Sequence, residues 1–468
     1  MVSTPTTRPR RAGDDTVRRE QCDHAASDAH PETAQPAAGA AAEATGWRRT
    51  FASLQIRNFR LFAASQLLSN TGAWMQRIAQ DWLVFTLTDS PTAVGVTTAM
   101  QFLPMLFFGL YGGVIADRYP KRRLLLITQS FACLLAAALA ALSLAHVVTV
   151  WQVWLIALLL GFDTVVDNPT RQLFVNEMVG PRNLRNAVSL NSSIFQLGGL
   201  VGPALSGVLI NAVGGGWAFA VNALTYLPVL AALLRIDRRL LNAVPVVPRS
   251  RHQLREGLRY VRLHPRLFWP IVLAGFVGSI GLNMPILLSA YAKNVFHAGA
   301  GGYGMLNSMV ALGSMVGALR SASRPSSRLR AIVVSAGVFG TLEAITSLAP
   351  DIVMFAVLLV VLGAAALTFL TSANATVQTT AEDNVRGRVM SLYVLVLIGG
   401  TPIGSPLVGL TASHFGVRVA MLTCGLIPAL AAATVGVYIA RRSGMRLRFQ
   451  PRTSTPRGIF SIAERAPH

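Results

Sequence analysis

The sequence predicts an all-α membrane protein with twelve transmembrane helices in two pseudo-symmetric six-helix bundles. Three observations lead to this prediction: the apolar composition, the number of long apolar segments, and the distribution of basic residues. The chain has 468 residues, of which 52% are hydrophobic and 13% are charged, and its mean hydropathy is +0.49. That balance is typical of a chain that crosses a membrane several times rather than of a soluble enzyme.

Twelve apolar segments are each long enough to cross a bilayer, because a hydrocarbon core of ~30 Å needs roughly 20 helical residues. They lie at residues 59–87, 92–116, 123–146, 150–172, 187–211, 216–235, 268–292, 302–321, 330–349, 351–374, 388–412 and 417–440. An even number of spans predicts that both termini lie on the same side of the membrane.

The Lys and Arg residues indicate which side that is. Of the 41 Lys and Arg residues, Arg77 alone lies well inside a predicted span, and the outer loops carry only Lys293 and Arg418. Basic residues accumulate in cytoplasmic loops, so both termini are predicted to be cytoplasmic, in a bacterial cytoplasmic membrane. This asymmetry accounts for the net charge of +21. Membrane lipid is therefore an expected partner, and nucleic acid is not.

The segments predict five parts of the chain. Residues 1–50 lack the apolar stretch of a signal peptide and are predicted to form a disordered cytoplasmic tail. Residues 51–235 and 268–442 form the N-terminal and C-terminal bundles. A basic amphipathic linker, 236–267, is expected to lie on the inner face of the membrane between them. Residues 443–468 form a basic cytoplasmic tail.

The two bundles are predicted to be related by an internal repeat. Gly202 recurs as Gly404 and Gly207 as Gly409, each 202 residues later. Such a repeat indicates two bundles related by an axis along the membrane normal.

A short basic turn separates the second and third spans. Gly113 lets a neighbouring helix approach closely. Asp117 is predicted to begin a helix, where a carboxylate suits the exposed backbone N–H groups. Arg118, Lys121 and Arg122 are predicted to pair with Asp117, with the carbonyl ends of other helices, or with anionic lipid. Two interpretations stay open: an anchor that only fixes topology, or a mechanical role.

The fifth span carries small residues at helical spacing: Gly198, Gly202, Pro203 and Gly207. Small residues let helices pack closely, and proline bends or breaks the helical hydrogen-bond ladder. Any membrane protein can use such a run for packing alone.

Five ionisable residues lie inside predicted spans: Arg77, Asp81, Asp163, Asp167 and Glu343. A buried charge in a membrane is costly, so each needs a partner, water or a neutralising proton. Four residues separate Arg77 from Asp81 and Asp163 from Asp167, so each pair shares one helix face. Asp81 is expected near the outer end in contact with water. Asp167 is expected at a cap or helix interface, and Glu343 in packing or gating.

Two interpretations of these charges stay open. In the first, Asp163 carries a proton, and Arg77 holds it charged until a proton or substrate arrives. In the second, the two residues form a structural ion pair between helices. Asp81 and Asp167 are also predicted to lie in this proton and substrate cavity. Further polar residues are predicted to line it: Gln66, Asn70, Gln76, Gln80, Asn191, Gln196 and Asn283. No catalytic constellation and no metal-ligand spacing occurs in the sequence.

These motifs resemble those of a known family. The basic turn is similar to the loop signature between helices 2 and 3 of the major facilitator superfamily, with Pro120 in place of its second glycine. The run of small residues resembles the fifth-helix motif of superfamily antiporters, with Ser206 as a departure. Stretches beginning at Asn168, Asn186 and Gly257 extend the resemblance to the enterobactin-exporter and macrolide-efflux branch, over roughly residues 51–440.

The resemblance implies an exporter of a drug, a macrolide-like compound or a siderophore, working by proton antiport with alternating access. It implies a monomer without a cofactor, driven by the proton-motive force. It also implies that the basic turn latches the cytoplasmic ends of the bundles and favours the outward-facing state. A facilitated uniporter or uptake carrier stays open as an alternative, as does a non-transporting membrane sensor or scaffold. No nucleotide-binding P-loop occurs, and an enzyme has no support.

Overall fold

The computed structural model describes residues 52–242, 253–322, 329–382, 385–442, 446–449 and 460–463. The predicted N-terminal tail and the middle of the linker lie outside these residues, and so does most of the C-terminal tail. The predictions made for those parts stay predictions.

Twelve long helices run through the described residues, in the order that the apolar segments predict. With the linker helix α7, they are α1 (Arg57–Thr88), α2 (Pro91–Arg118), α3 (Lys121–Leu144), α4 (Val150–Gly180), α5 (Asn183–Val213), α6 (Gly215–Arg235), α7 (Gln253–Leu263), α8 (Pro265–Val295), α9 (Gly299–Ala322), α10 (Leu329–Thr346), α11 (Ile352–Thr380), α12 (Arg386–Phe415) and α13 (Val417–Arg442). Ten helices in the described part are long and apolar enough to cross a membrane. The predicted all-α membrane fold is confirmed.

The starts of several helices follow from local sequence. Pro91 opens α2 and Pro265 opens α8, because proline lacks the N–H that the first helical turn would leave unpaired. The side chain of Asp351 accepts hydrogen bonds from the backbone N–H groups of Val353 and Met354, both at 2.9 Å. This contact caps the first turn of α11. Prolines and capping residues of this kind mark where helices start, so the sequence alone locates the turns between the spans.

Three helices are interrupted. The helical stretch Val150–Val213 departs from helical geometry at Gly180, with φ 66° and ψ 178°, a conformation that glycine adopts without a Cβ clash. This residue separates α4 from α5. Helix α8 contains two π-helical turns, Val277–Gly281 and Tyr291–Val295, and α12 is interrupted at Gly400.

The predicted position of Asp117 at the start of a helix is wrong. Helix α2 continues through Arg118, and Tyr119 is extended with φ −107° and ψ 155°. Proline disfavours helical geometry in the residue before it, so Pro120 sets the turn two residues later than expected, and α3 begins at Lys121. Asp117 therefore lies in the last turn of α2, where the helix dipole disfavours a carboxylate.

The two bundles, α1–α6 and α8–α13, contact each other along two seams lined by glycine. In the seam between α2 and α12, a Cβ placed on Gly95 would lie 2.5 Å from the carbonyl oxygen of Ser405. In the seam between α5 and α9, a Cβ on Gly304 would lie 2.5 Å from the carbonyl oxygen of Pro203. Only glycine permits such backbone contact, which dispersion forces then stabilise.

These seams lie toward one end of the molecule, which we call the Asp89 end. It is the end at which α1 stops at Thr88 and α2 starts at Pro91. The hydroxyl oxygens of Thr92 and Ser413 are 2.8 Å apart there. Lys293 of α8 forms an ion pair with Asp89 beside them. The Asp89 end is therefore closed between the bundles; we call the opposite end, which contains Lys121, the Lys121 end.

Two short strands lie beyond α13. β1 (Arg446–Phe449) pairs with β2 (Phe460–Ala463) in antiparallel register, with Arg446 opposite Ala463. They fall in the predicted C-terminal tail, for which the sequence analysis predicts no strand.

Candidate functional site

The N-terminal bundle encloses a cavity of about 210 Å³. Its lining comes from α1, α2, α3, α4 and α6, with Ile398 of α12 from the other bundle. The polar side chains that line it are Ser69, Asn70, Gln76, Arg77, Gln80, Gln101, Gln129, Asp163, Thr164, Asp167, Asn168, Arg171, Asn222 and Tyr226. Since these residues extend along α4 from its middle toward Gly180, the cavity extends from the middle of the bundle toward the Lys121 end.

Asp167 is fully surrounded by hydrogen-bond donors. Thr128 donates to its carboxylate at 2.9 Å and Gln129 at 2.8 Å. Arg171, one turn along α4, forms an ion pair with the same carboxylate and also donates to Gln66. These contacts hold the Asp167 side chain in one position, since hydrogen bonds and ion pairs are strong in a low-dielectric interior. The structure thus places Asp167 at a helix interface, as the sequence predicts.

Asp163 lies one turn before Asp167 and differs from it in surroundings. Its side chain is half-buried and lines the cavity. Among the hydrogen bonds and ion pairs recorded for the described residues, none involves the Asp163 side chain. A carboxylate without a protein partner, in contact with a cavity, is free to gain a proton or a cationic ligand.

Arg77 also lines the cavity but does not pair with Asp163. Its guanidinium carbon lies 5.0 Å from the centre of the Trp74 ring, a cation–π contact within α1. No ion pair or hydrogen bond between Arg77 and any carboxylate is recorded in the described part of the chain. The predicted Arg77–Asp163 pair is therefore absent from this conformation.

The expectation that Asp81 contacts water is wrong. Its side chain is buried, with 1% of the residue exposed, because α9 of the other bundle packs over it. The hydroxyl of Tyr303 in α9 donates to the Asp81 carboxylate at 3.4 Å. Asp81 is thus a contact between the bundles at the Asp89 end, outside the residues that line the cavity.

The remaining predicted cavity residues divide into two groups. Asn70, Gln76 and Gln80 line the cavity, and Gln76 accepts a hydrogen bond from Asn222. Gln66, Asn191, Gln196 and Asn283 are not among the residues that line it. The amide of Asn283 donates to the carbonyl oxygens of Ser279 and Ile280 at 2.8 and 2.9 Å, and it accepts from Ser405. It therefore stabilises the π-helical turn of α8.

Sequence reasoning missed several polar residues of the site. Gln129 and Asn222 lie in the middle of apolar spans, where a lone amide is a detectable signal. Arg171 lies near the end of a predicted span, where it resembles an ordinary cytoplasmic arginine. Its spacing of four from Asp167 is the signal that would have linked the two residues.

Glu343 is fully buried within α10, with 0% exposure. Neither carboxylate oxygen has a hydrogen-bond partner among the described residues. A Cβ on Gly281 would lie 3.4 Å from one of these oxygens. Glu343 therefore lies against the π-helical turn of α8, apart from the cavity.

The basic turn contacts two other helices. Arg122 donates to the carbonyl oxygens of Leu233 and Leu234 at the end of α6, which satisfies carbonyls that the helix leaves unpaired. Lys121 forms an ion pair with Glu177 of α4 at 3.4 Å. Within α2, Gly113 is buried, and Arg118 is exposed in the last turn. The predicted pairing with carbonyl ends is present.

The small residues of α5 contact two neighbouring helices. A Cβ on Gly198 would lie 3.1 Å from the backbone of Asn70, and one on Gly202 would lie 2.7 Å from the Cβ of Trp74. Both contacts bring α5 against α1. Gly207 and Pro203 face α9. These small residues thus let α5 pack against α1 in its own bundle and against α9 in the other bundle.

A family model described as transmembrane secretion effector matches residues 48–459. The chain belongs to this family. It is a multi-pass membrane transporter of the major facilitator superfamily, not an enzyme, and its substrate is a small molecule.

Three relatives are similar to this chain over most of their length. The staphyloferrin A transporter of Staphylococcus aureus is 24% identical, over 76% of this chain and 90% of its own. The multidrug efflux pump Tap of Mycolicibacterium fortuitum is 26% identical, over 84% and 97%. The enterobactin exporter EntS of Citrobacter koseri is 24% identical, over 86% and 95%.

Solved structures share the fold of this chain. A bacterial homologue of the human lysosomal transporter Spinster, in an inward-facing and unoccupied conformation, matches with a TM-score of 0.67 and 15% identity. The match covers 82% of this chain and 97% of that one. The nucleoside transporter NupG matches with a TM-score of 0.65 and 11% identity, over 82% and 99%. At these identities the likeness concerns the fold alone.

Proposed function

We propose that this transporter exports a drug-like or siderophore-like molecule from the cytoplasm in exchange for protons, by alternating access. The names of its relatives support export of such compounds. The observation that carries the proton exchange is the contrast between two carboxylates on α4. Asp167 is held by three donors, whereas Asp163 lines the cavity without a recorded partner in the described residues.

The closed end and the distribution of charge support a cavity that faces the cytoplasm in this conformation, where a substrate for export would enter. Basic residues concentrate in the loops at the Lys121 end, which makes that end cytoplasmic by the positive-inside rule. With the Asp89 end closed, the cavity of this conformation faces the cytoplasm. A substrate would enter from the cytoplasm, and a proton from outside would reach Asp163 after the bundles rock about the cavity.

The proposal assigns the energy source to the proton gradient and needs no cofactor. The chain is proposed to act as a monomer, because the seams join two halves of one chain. Anionic lipid is proposed to contact the exposed basic residues of α7 and of the turn at Arg118.

The proposal is tested by efflux from a bacterial host that lacks its own pumps. Cells producing the wild-type chain should show lower accumulation of, and lower susceptibility to, members of a drug and siderophore panel. An uncoupler should abolish the difference. Asp163→Asn should also abolish it at equal protein level. Glu382→Gln is the matched control, since Glu382 is exposed and lies outside the cavity.

Each alternative has its own outcome in this experiment. Transport that runs only down the substrate gradient, and is insensitive to the uncoupler, would indicate a uniporter or uptake carrier. No transport of any compound, with normal insertion, would favour a membrane sensor or scaffold. Uphill export by Asp163→Asn would show that the proton binds elsewhere.

A further inference from the structure

Two residues of α1 line the cavity and carry hydrogen-bond donors that have no acceptor among the described residues. Arg77 lines the cavity, and none of its N–H groups has a recorded acceptor in the described residues. Gln80 lies three residues later on the same helix face and also lines the cavity. It is 1% exposed, and its amide nitrogen has no partner among the described residues. A buried donor without an acceptor is costly, so the pair calls for a ligand.

The other charges of the cavity do not share this property. Arg171 is held by Asp167 and Gln66, so its guanidinium is already bound. The side-chain oxygen of Gln76 accepts a hydrogen bond from Asn222, which fixes the orientation of this uncharged amide. Among the described residues that line the cavity, Arg77 is therefore the basic residue whose N–H groups are available to bind a ligand.

The neighbours of Arg77 leave the edge of its guanidinium open. Trp74 contacts it at 5.0 Å from the ring centre. The charge of Asp81 acts on Arg77, but Asp81 accepts its hydrogen bond from Tyr303 and forms no recorded ion pair with Arg77. The N–H groups on this edge of the guanidinium can therefore bind an anionic group that enters the cavity.

We propose that Arg77 and Gln80 bind an acidic group of the transported molecule, such as a carboxylate or a catecholate. A guanidinium binds planar oxyanions through two parallel N–H groups, and the Gln80 amide adds a third donor. The site then selects acidic compounds over cationic ones. This inference rests on the proposed function for the role of the cavity, and not on the direction or the energy source of transport.

Binding to the purified full-length chain in lipid nanodiscs tests this proposal. The probes are phthalate, its uncharged diamide phthalamide, and the cation ethidium. Phthalate should bind at least about tenfold more tightly than phthalamide, since it adds charged hydrogen bonds. Trp74 lies on Arg77, so tryptophan fluorescence should report phthalate binding. The signal should disappear in Trp74→Phe.

Four variants complete the experiment. Arg77→Gln should remove the preference for phthalate, and Arg77→Lys should keep part of it. Gln80→Glu keeps Arg77 but gives it an internal carboxylate, so it should also remove phthalate binding; this variant guards against loss of fold in Arg77→Gln. Arg259→Gln, on the exposed side of α7, should bind like the wild type.

Equal binding of phthalate and phthalamide, or no phthalate binding, would overturn the proposal. So would displacement of phthalate by ethidium, or unchanged phthalate binding in both Arg77→Gln and Gln80→Glu. Phthalate binding that depends on Arg77, in a chain that fails the efflux test, would support this site while refuting proton-driven export.

Discussion

The hydroxyl of Tyr303 in α9 donates a hydrogen bond to the carboxylate of Asp81 in α1, 3.4 Å away across the interface between the bundles. Both residues are buried, and the contact lies in the half of the molecule that is closed. Opening of the Asp89 end has to break it. We expect Tyr303→Phe to lower the barrier to opening, because a typical hydrogen bond contributes about 0.5–1.5 kcal/mol.

The readout for Tyr303→Phe is labelling by a membrane-impermeant maleimide of a single cysteine in place of Ser308, in whole cells of a chain without native cysteines. Ser308 of α9 is buried and donates a hydrogen bond to the carbonyl oxygen of Leu200 in α5, so it becomes reachable when the two helices separate. Labelling should become faster than in the Tyr303 parent. The control is Tyr438→Phe, on a partly exposed face of α13. Equal labelling rates would show that this hydrogen bond does not hold the end closed.

A disulfide across the seam of α2 and α12 should stop transport. The hydroxyl oxygens of Thr92 and Ser413 lie 2.8 Å apart, so cysteines at both positions are close enough to form a crosslink. We expect Thr92→Cys with Ser413→Cys to lose transport on mild oxidation and to regain it on reduction. The single variant Thr92→Cys should be insensitive. A crosslinked chain that still transports would mean that this end does not open during the cycle.

A methyl group in the same seam should disturb the closed conformation. A Cβ on Gly95 would lie 2.5 Å from the carbonyl oxygen of Ser405, whereas one on Gly337 would come no nearer than 3.7 Å to the side chain of Ala432. Gly95→Ala should therefore reduce transport several-fold, since the helices must separate or strain. Gly337→Ala is the matched control and should stay near the wild-type rate. If Gly337→Ala reduced the transport rate more than Gly95→Ala, the close contact between α2 and α12 would not be important for transport.

Replacing the carboxylate of Asp117 should lower transport without preventing insertion. Its position in the last turn of α2 opposes its own helix dipole, so the residue acts through contacts with other groups. We expect Asp117→Asn to weaken the state in which the Lys121 end is closed. The measurement is the initial rate of efflux at matched protein level, with Glu382→Gln as control. An unchanged rate would favour the interpretation that the turn only anchors topology.

Both termini should be cytoplasmic. Alkaline phosphatase fused after Arg442 should be inactive, because the enzyme folds only outside the cytoplasm. The same enzyme fused after Asp89 should be active. High activity after Arg442 would contradict an even number of spans and the positive-inside assignment.

The positions of the spans were predictable from sequence, because apolar length and turn residues such as Pro91 and Asp351 act locally. The surroundings of Asp81 were not, because α9 covers it from more than two hundred residues away. Asp117 lies inside α2 because Pro120 ends that helix later than the motif suggests. The motif alone does not show the effect of Pro120 on the residue before it. Arg171 was overlooked because an arginine near a span end resembles a topology signal.

Gly180 joins α4 to α5 without an intervening loop. A glycine at a φ of 66° can adopt other backbone angles without a Cβ clash, so the two helices can change their tilt there but cannot separate. A movement of the Gly180 end of α4, the helix that carries Asp163, therefore displaces the start of α5, whose Gly207 and Pro203 face α9. Occupancy of one carboxylate would then change the fit of a helix pair more than twenty residues away, through the covalent backbone link rather than through a chain of side-chain contacts.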